Sequence, residues 1–226
     1  FKAVNAKDGF TYAVRRVDSA RASGNLPGVL ASWAQVQHAN VVPLRELFSQ
    51  NRALFLVHDF VPGAQTLREF ITARNLSGHA QLLPEPVVWS ILTQILAGVR
   101  AVHAKNLACR DLSPSRVLLT GRYRTRLACA GLAHALEVAP STAALADEQH
   151  EDIVWLGRLA LSLATMSLNP LANLQQSVDF IQSRYSSDLV AFALHPFRLQ
   201  PHQRSNVYEL LALASQALLA ENDTLY

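Results

Sequence analysis

Only two cysteines, Cys109 and Cys129, occur in the 226 residues, too few for a disulfide framework and without the Cys/His spacing of a zinc site. That scarcity points to a reducing, cytoplasmic setting and to no bound metal. Long apolar runs are also missing. Although half the composition is hydrophobic, every apolar stretch is broken by Ser, Thr, Asn, Pro or a charge before the roughly 18 to 20 residues needed to cross a bilayer, and no membrane association is expected. No charged-apolar-small targeting segment opens the sequence. Lysine is limited to Lys2, Lys7 and Lys105, so nearly all the positive charge behind the formal +3 is arginine. The planar guanidinium suits phosphate better than a point charge does, which permits a nucleic-acid partner without requiring one.

The chain is long enough for one substantial core or two small, closely joined ones. "FKAVNAKDGFTYAVRRV" reads as two short strands around a turn at Lys7-Asp8-Gly9. Because Phe1 starts inside this sheet, the chain is expected to be a fragment whose upstream strand lies elsewhere. "LPGVLASWAQVQHANVVPL" predicts a helix ending near His38-Ala39-Asn40, and "ALFLVHDFV" a strand running into a turn at Pro62-Gly63. From Glu85 onward the period becomes helical. Pro86 suits a first turn, and Val88, Ile91, Leu92, Ile95, Val99 and Val102 share one face. Further helices are expected over residues 153–165, 187–194 and 205–219, with an Ala/Ser/Thr loop over 139–146. In "GRYRTRL" the arginines Arg122, Arg124 and Arg126 alternate, so a strand there would put all three on one face. That face is either a solvated surface or a stripe for the phosphates of RNA.

A strand-rich lobe with one helix, a strand leading to Pro-Gly, a long helix, then "CRDLSPSRVLL" and "RLACAGLA" resembles the protein-kinase catalytic domain. The expected fold class is α+β and two-lobed, with an N-lobe over residues 1–61 and a mainly helical C-lobe over 62–226. "YAVR" matches the strand that carries a kinase's lysine, "EDIVWLG" the Asp-bearing helix beneath the catalytic loop, and "PHQRSNVYELL" the closing Arg-containing segment. The resemblance places Arg15 where the phosphate-binding lysine would be and Val29 where its glutamate partner would be. Arg116 stands at the first metal-ligand position and Cys129 at the second. Asp111 keeps the base position, flanked by Cys109 and Ser113. Phosphoryl transfer depends on these electrostatic parts, and each tenfold loss in rate corresponds to about 1.4 kcal/mol. No catalytic residue is therefore assigned. Asp111 is read as bracing its loop, with an atypical active kinase using Asp111 as the alternative.

Holding phosphates requires positive charge rather than a transition state. Arg15 and Arg116, from opposite lobes, are predicted to take over part of magnesium's role through charge-assisted hydrogen bonds, so that ATP is bound without metal and not hydrolysed. Ala13 and Leu118 are placed to sandwich adenine, as ordinary core residues also would be. If large side chains fill that space, the domain is a nucleotide-free interaction module.

Four stretches, "YAVRRVDS", "HDFVPGAQTLREF", "VRAVHAKNLACRDLSPSRVLLTGRYRTRL" and "SRYSSDLVAFAL", are similar to the regulatory pseudokinase subunits of the poly(A) nuclease deadenylation complex. The last lies outside any catalytic element, so shared chemistry alone would not produce it. This resemblance implies nucleotide contacts from Arg15, from the hinge residues Asp59, Phe60, Val61, Pro62, Gly63, Ala64, Gln65 and Thr66, and from Ser115 with Arg116. It also implies binding of poly(A) RNA and the poly(A)-binding protein, recruitment of the catalytic nuclease subunit, and a homodimer formed by regions after "AENDTLY".

Overall fold

The computed structural model describes residues 1–18, 24–76, 82–136, 145–200 and 202–223. β1 (Lys2–Val4), β2 (Thr11–Asp18), β3 (Leu44–Gln50) and β4 (Ala53–Asp59) form an antiparallel sheet in the order β1-β2-β4-β3. Alternation along β4 turns Leu54, Leu56 and His58 inward, where they are buried, while Phe55 stacks on Phe48 of β3 on the outer side. Gly9, with φ +72°, permits the turn between β1 and β2. Helix α1 (Leu26–Ala34) starts at Asn25, whose side chain accepts the Gly28 amide at 3.0 Å, and packs on β3.

That helix stops at Ala34, short of the expected end near His38-Ala39-Asn40, because Asn40 is pulled into another role. Its side-chain amide donates to the Thr125 carbonyl at 2.8 Å, its own carbonyl accepts the Leu127 amide at 2.8 Å, and the Leu127 carbonyl accepts the Val42 amide at 2.9 Å. These bonds tie the segment entering β3 to the second sheet, β5 (Gln65–Thr66), β6 (Val117–Thr120) and β7 (Arg124–Leu127). Arg122 does not belong to β7, contrary to the three-arginine strand. It sits in a single 3-10 turn, Gly121–Tyr123, with φ +57°, so only Arg124 and Arg126 share the exposed face.

The remaining elements are helical: α2 (Leu67–Leu76), α3 (Glu85–His103), α4 (Leu132–Ala135), α5 (Leu145–Thr165), α6 (Leu174–Gln182), α7 (Ser187–Leu194) and α8 (Val207–Asp223). The six apolar positions read for α3 are all fully buried. At Gly98 a Cβ would stand 2.9 Å from Leu127 and 3.0 Å from the Asn40 carbonyl, so α3 meets the second sheet backbone-close. Helix α5 begins at Leu145 rather than near 153, with Asp147 and Glu148 in its first turn, where the helix dipole favours carboxylates. The rest of the loop expected over 139–146 lies outside the described residues. Helix α6 was not expected, yet Asn173 caps it and Leu174, Val178 and Ile181 recur at helical spacing. Among the described residues no helix is long and apolar enough to cross a membrane.

One carboxylate joins α3, α5 and the loop before β6. Asp152 is fully buried; it accepts the Cys109 and Arg110 amides at 2.7 and 2.8 Å and pairs with His103 Nε2 at 2.9 Å. Arg110 takes a left-handed φ of +62° as its amide turns towards this carboxylate. Replacing Asp152 by Ala strands two inward amides, each costing about 1–3 kcal/mol when buried unpaired. Urea unfolding of Asp152→Ala should show a loss of about 3 kcal/mol, with a smaller loss for Asp152→Asn, which keeps one acceptor oxygen; an unchanged midpoint would rule out this role.

Candidate nucleotide cleft

Between the two sheets lies a cleft of about 660 Å³. β2 contributes Ala13 and Arg15, β6 contributes Leu118, and the end of β4 contributes His58 with Asp59, followed by Phe60 and Val61. Ala13 and Leu118 both line it, and the space is open. Val42 and Ala128 complete its apolar wall; they come from segments that pair with each other through Leu127, which residue types alone did not mark.

Of the predicted site residues, the structure brings Ala13, Arg15, Asp59, Phe60, Val61, Ala64 and Leu118 to this cleft. Pro62, Gly63, Gln65 and Thr66 do not line it. After Val61 the chain turns back, with the Ala64 amide on the Val61 carbonyl and Gly63 at φ +66°. Thr66 is committed to capping α2: its hydroxyl accepts the Glu69 amide at 3.1 Å, and the Glu69 carboxylate accepts the Thr66 amide at 2.7 Å. Ser115 lines a separate cavity with Thr66 and Arg68. The Asp59 carboxylate is held by both Nε and Nη2 of Arg45, at 2.6 and 2.7 Å, and its amide donates to the Pro43 carbonyl at 3.2 Å.

Arg116 is not a cleft wall, but it stands within electrostatic reach of Arg15. Its Nε donates to Asp111 at 2.8 Å, and the other Asp111 oxygen accepts the Ser113 amide at 3.1 Å. Burial pushes the Asp111 carboxyl up, yet hydrogen bonds from Arg116 and Ser113, with the charge of Arg116, hold it below the ordinary carboxylate range. Asp111 therefore braces its loop and is a weakened base. Burial, and then the charge of Arg116, pull the Arg15 guanidinium down, partly offset by Asp111. An anion near both would relieve the mutual repulsion of Arg15 and Arg116. Behind Asp111, the Cys109 thiol is pushed well up by its hydrogen bond with Cys129 and by burial, so it stays protonated. Among the described residues no cluster of His, Cys, Asp and Glu is suited to a metal ion.

His58 was not singled out by residue type, although strand alternation after Leu54 and Leu56 was the signal that placed it inward. It is 8% exposed, and its Nε2 lies 3.0 Å from the Ala130 carbonyl.

The protein kinase domain model matches residues 1–153. The chain is 33% identical over its whole length to a PAN2-PAN3 deadenylation complex subunit of Dictyostelium discoideum, of which it spans 31%. The Drosophila melanogaster PAN3 pseudokinase superposes with a TM-score of 0.85 at 31% identity, covering 99% of this chain and 60% of that one. In the Neurospora crassa complex of PAN2 (WD40-CS1) with PAN3, the likeness is 0.82 at 28% identity, with 99% and 59% coverage. The chain thus spans less than a third of that curated relative's length.

Burial first, and then the Arg15 and Arg116 charges, lower the His58 pKa below its ordinary value, against the opposing Ala130 carbonyl and Asp59. The unfolded chain therefore takes up a proton near pH 6.5 while the folded one does not, and stability falls as pH drops through that window, by at most about 1.4 kcal/mol per pH unit. Urea midpoints measured between pH 7.5 and 5.5 should fall more steeply for the natural chain than for His58→Phe; parallel curves would contradict a buried neutral imidazole.

Proposed function

The chain belongs to the protein kinase domain family, and from that premise we propose that it is a catalytically inactive, ATP-holding scaffold in a PAN2-PAN3-type complex that shortens mRNA poly(A) tails in the cytoplasm. The observation that carries the nucleotide reading is the open cleft between Ala13 and Leu118, with Arg15 on its wall and the Asp111-Arg116 pair facing Arg15. A kinase needs oxygen donors for magnesium at the positions of Arg116 and Cys129; a guanidinium and a buried thiol supply none. Asp111 spends its oxygens on Arg116 and Ser113, leaving the terminal amino groups of Arg116 for phosphate. Beyond the end of β4 at Asp59, the Val61 amide offers a hydrogen bond for a base edge, since it has no main-chain acceptor among the described residues.

Similarity to PAN3 subunits over the whole chain supports a regulatory role beside a catalytic nuclease subunit; the proposed homodimer would form through regions beyond these residues, and the poly(A)-binding protein is a further proposed partner. Poly(A) RNA would meet the exposed pair Arg124 and Arg126. Across the β6-β7 register Arg126 stands opposite Leu118 and Arg124 opposite Thr120, so this basic edge continues the sheet face that floors the cleft.

ATP should raise the melting temperature of the chain equally with and without excess chelator, and the rise should vanish in the Arg15→Ala, Arg116→Ala double variant; absence of any shift with ATP would defeat the nucleotide reading. Poly(A) affinity measured against salt should lose about 1.4 units of log-log slope when Arg124 and Arg126 are both replaced by Gln. An unchanged slope would make that edge a solvated surface.

A further inference from the structure

The inner end of the cleft carries one polar side chain whose chemistry is directional. His58 lines the cleft together with Val42, Ala13 and Leu118. Its Nε2 is 3.0 Å from the Ala130 carbonyl, and a carbonyl can only accept, so Nε2 carries the ring hydrogen. The groups facing the ring are Arg15 and Arg116, which disfavour its protonation along with burial, and Asp59, which favours it; the balance keeps the imidazole neutral near physiological pH. Nδ1 then presents a lone pair and no hydrogen, and no described protein group bonds to it.

We infer that His58 is a base-selecting residue, its Nδ1 accepting a hydrogen from the exocyclic amino group of adenine and disfavouring a 6-oxo purine in the same place. The inference rests on the reading of the cleft as a nucleotide site. A purine held between Ala13 and Leu118 turns one edge to the main chain at Asp59 to Val61. The 6-amino group of adenine has two hydrogens: one serves a main-chain carbonyl and the second points towards the back wall, where Nδ1 accepts it. Guanine places a carbonyl oxygen there, so two acceptors face each other against an apolar wall and both go unsatisfied. Moving the ring hydrogen to Nδ1 offers no escape, because the Ala130 carbonyl would then face a lone pair. A buried acceptor left unpaired in this way costs roughly tenfold or more in affinity.

Titrations of the full chain with ATP, GTP and the triphosphate of purine riboside, which lacks the 6-amino group, test this directly. The natural chain should bind ATP at least about tenfold more tightly than either competitor, and in His58→Phe, which keeps a ring of similar size, each preference should shrink by about tenfold. Equal binding of ATP and the purine riboside triphosphate by the natural chain overturns the inference without needing a variant, and so does a full preference retained by a folded His58→Phe. If none of the three binds the natural chain, the nucleotide reading itself fails; if ATP binds with a selectivity indifferent to residue 58, that reading stands and only this inference falls.

Discussion

The buried carboxylate of Asp152 is the constraint on which the site depends. A charge taken fully out of water is tolerated only where hydrogen bonds replace its hydration, and here two main-chain amides and an imidazole do so. Because the amides belong to Cys109 and Arg110, satisfying the carboxylate fixes the path of the loop that follows. Arg110 is turned into the left-handed region, Cys109 is driven against Cys129, and Asp111 emerges beside the cleft rather than into the core. A kinase uses the same frame to aim a base. In this chain the frame is kept while the groups it aims have changed.

What it now aims is positive charge. Asp111 and Arg116 neutralise one another through a single Nε contact, and Arg15 of β2 is pulled down by burial and by Arg116, with Asp111 offsetting only part of this. In the proposed reading a polyphosphate arrives here without its cation, and fixed guanidinium groups need no reorganisation to meet it. Asn40 completes the geometry. By bonding Thr125 and Leu127 it joins the start of β3 to β7, so the roof at Ala13 and the floor at Leu118 belong to sheets stitched together behind the cleft.

Much of the fold was legible because it rests on periodicity. The buried stripe of α3, the turn at Gly9 and the strand ending at Asp59 all follow from local pattern and turn chemistry. Expectations failed where a cap, a turn or a distant partner overrode the simplest pattern. Thr66 and Glu69 form a reciprocal cap, a signature present in the chain, yet a position near the hinge made nucleotide contact the more obvious reading. Arg122 alternates with Arg124 and Arg126, but a left-handed turn after Gly121 removes it from the strand. The helix expected to reach His38 stops at Ala34 because Asn40 is held by a carbonyl of β7.

The order of residues by itself determined the two-lobed kinase frame and the loss of its metal ligands, since Arg116 and Cys129 cannot donate oxygen whatever the packing. Only the tertiary structure decided what the substitutes do. That Arg116 leans on Asp111, that Thr66 turns away from the cleft, and that His58 carries its ring hydrogen on Nε2 follow from bonds to particular atoms. The last depends on the carbonyl of Ala130, far along the chain, and a hydrogen bond's direction is set by where its partner lies in space.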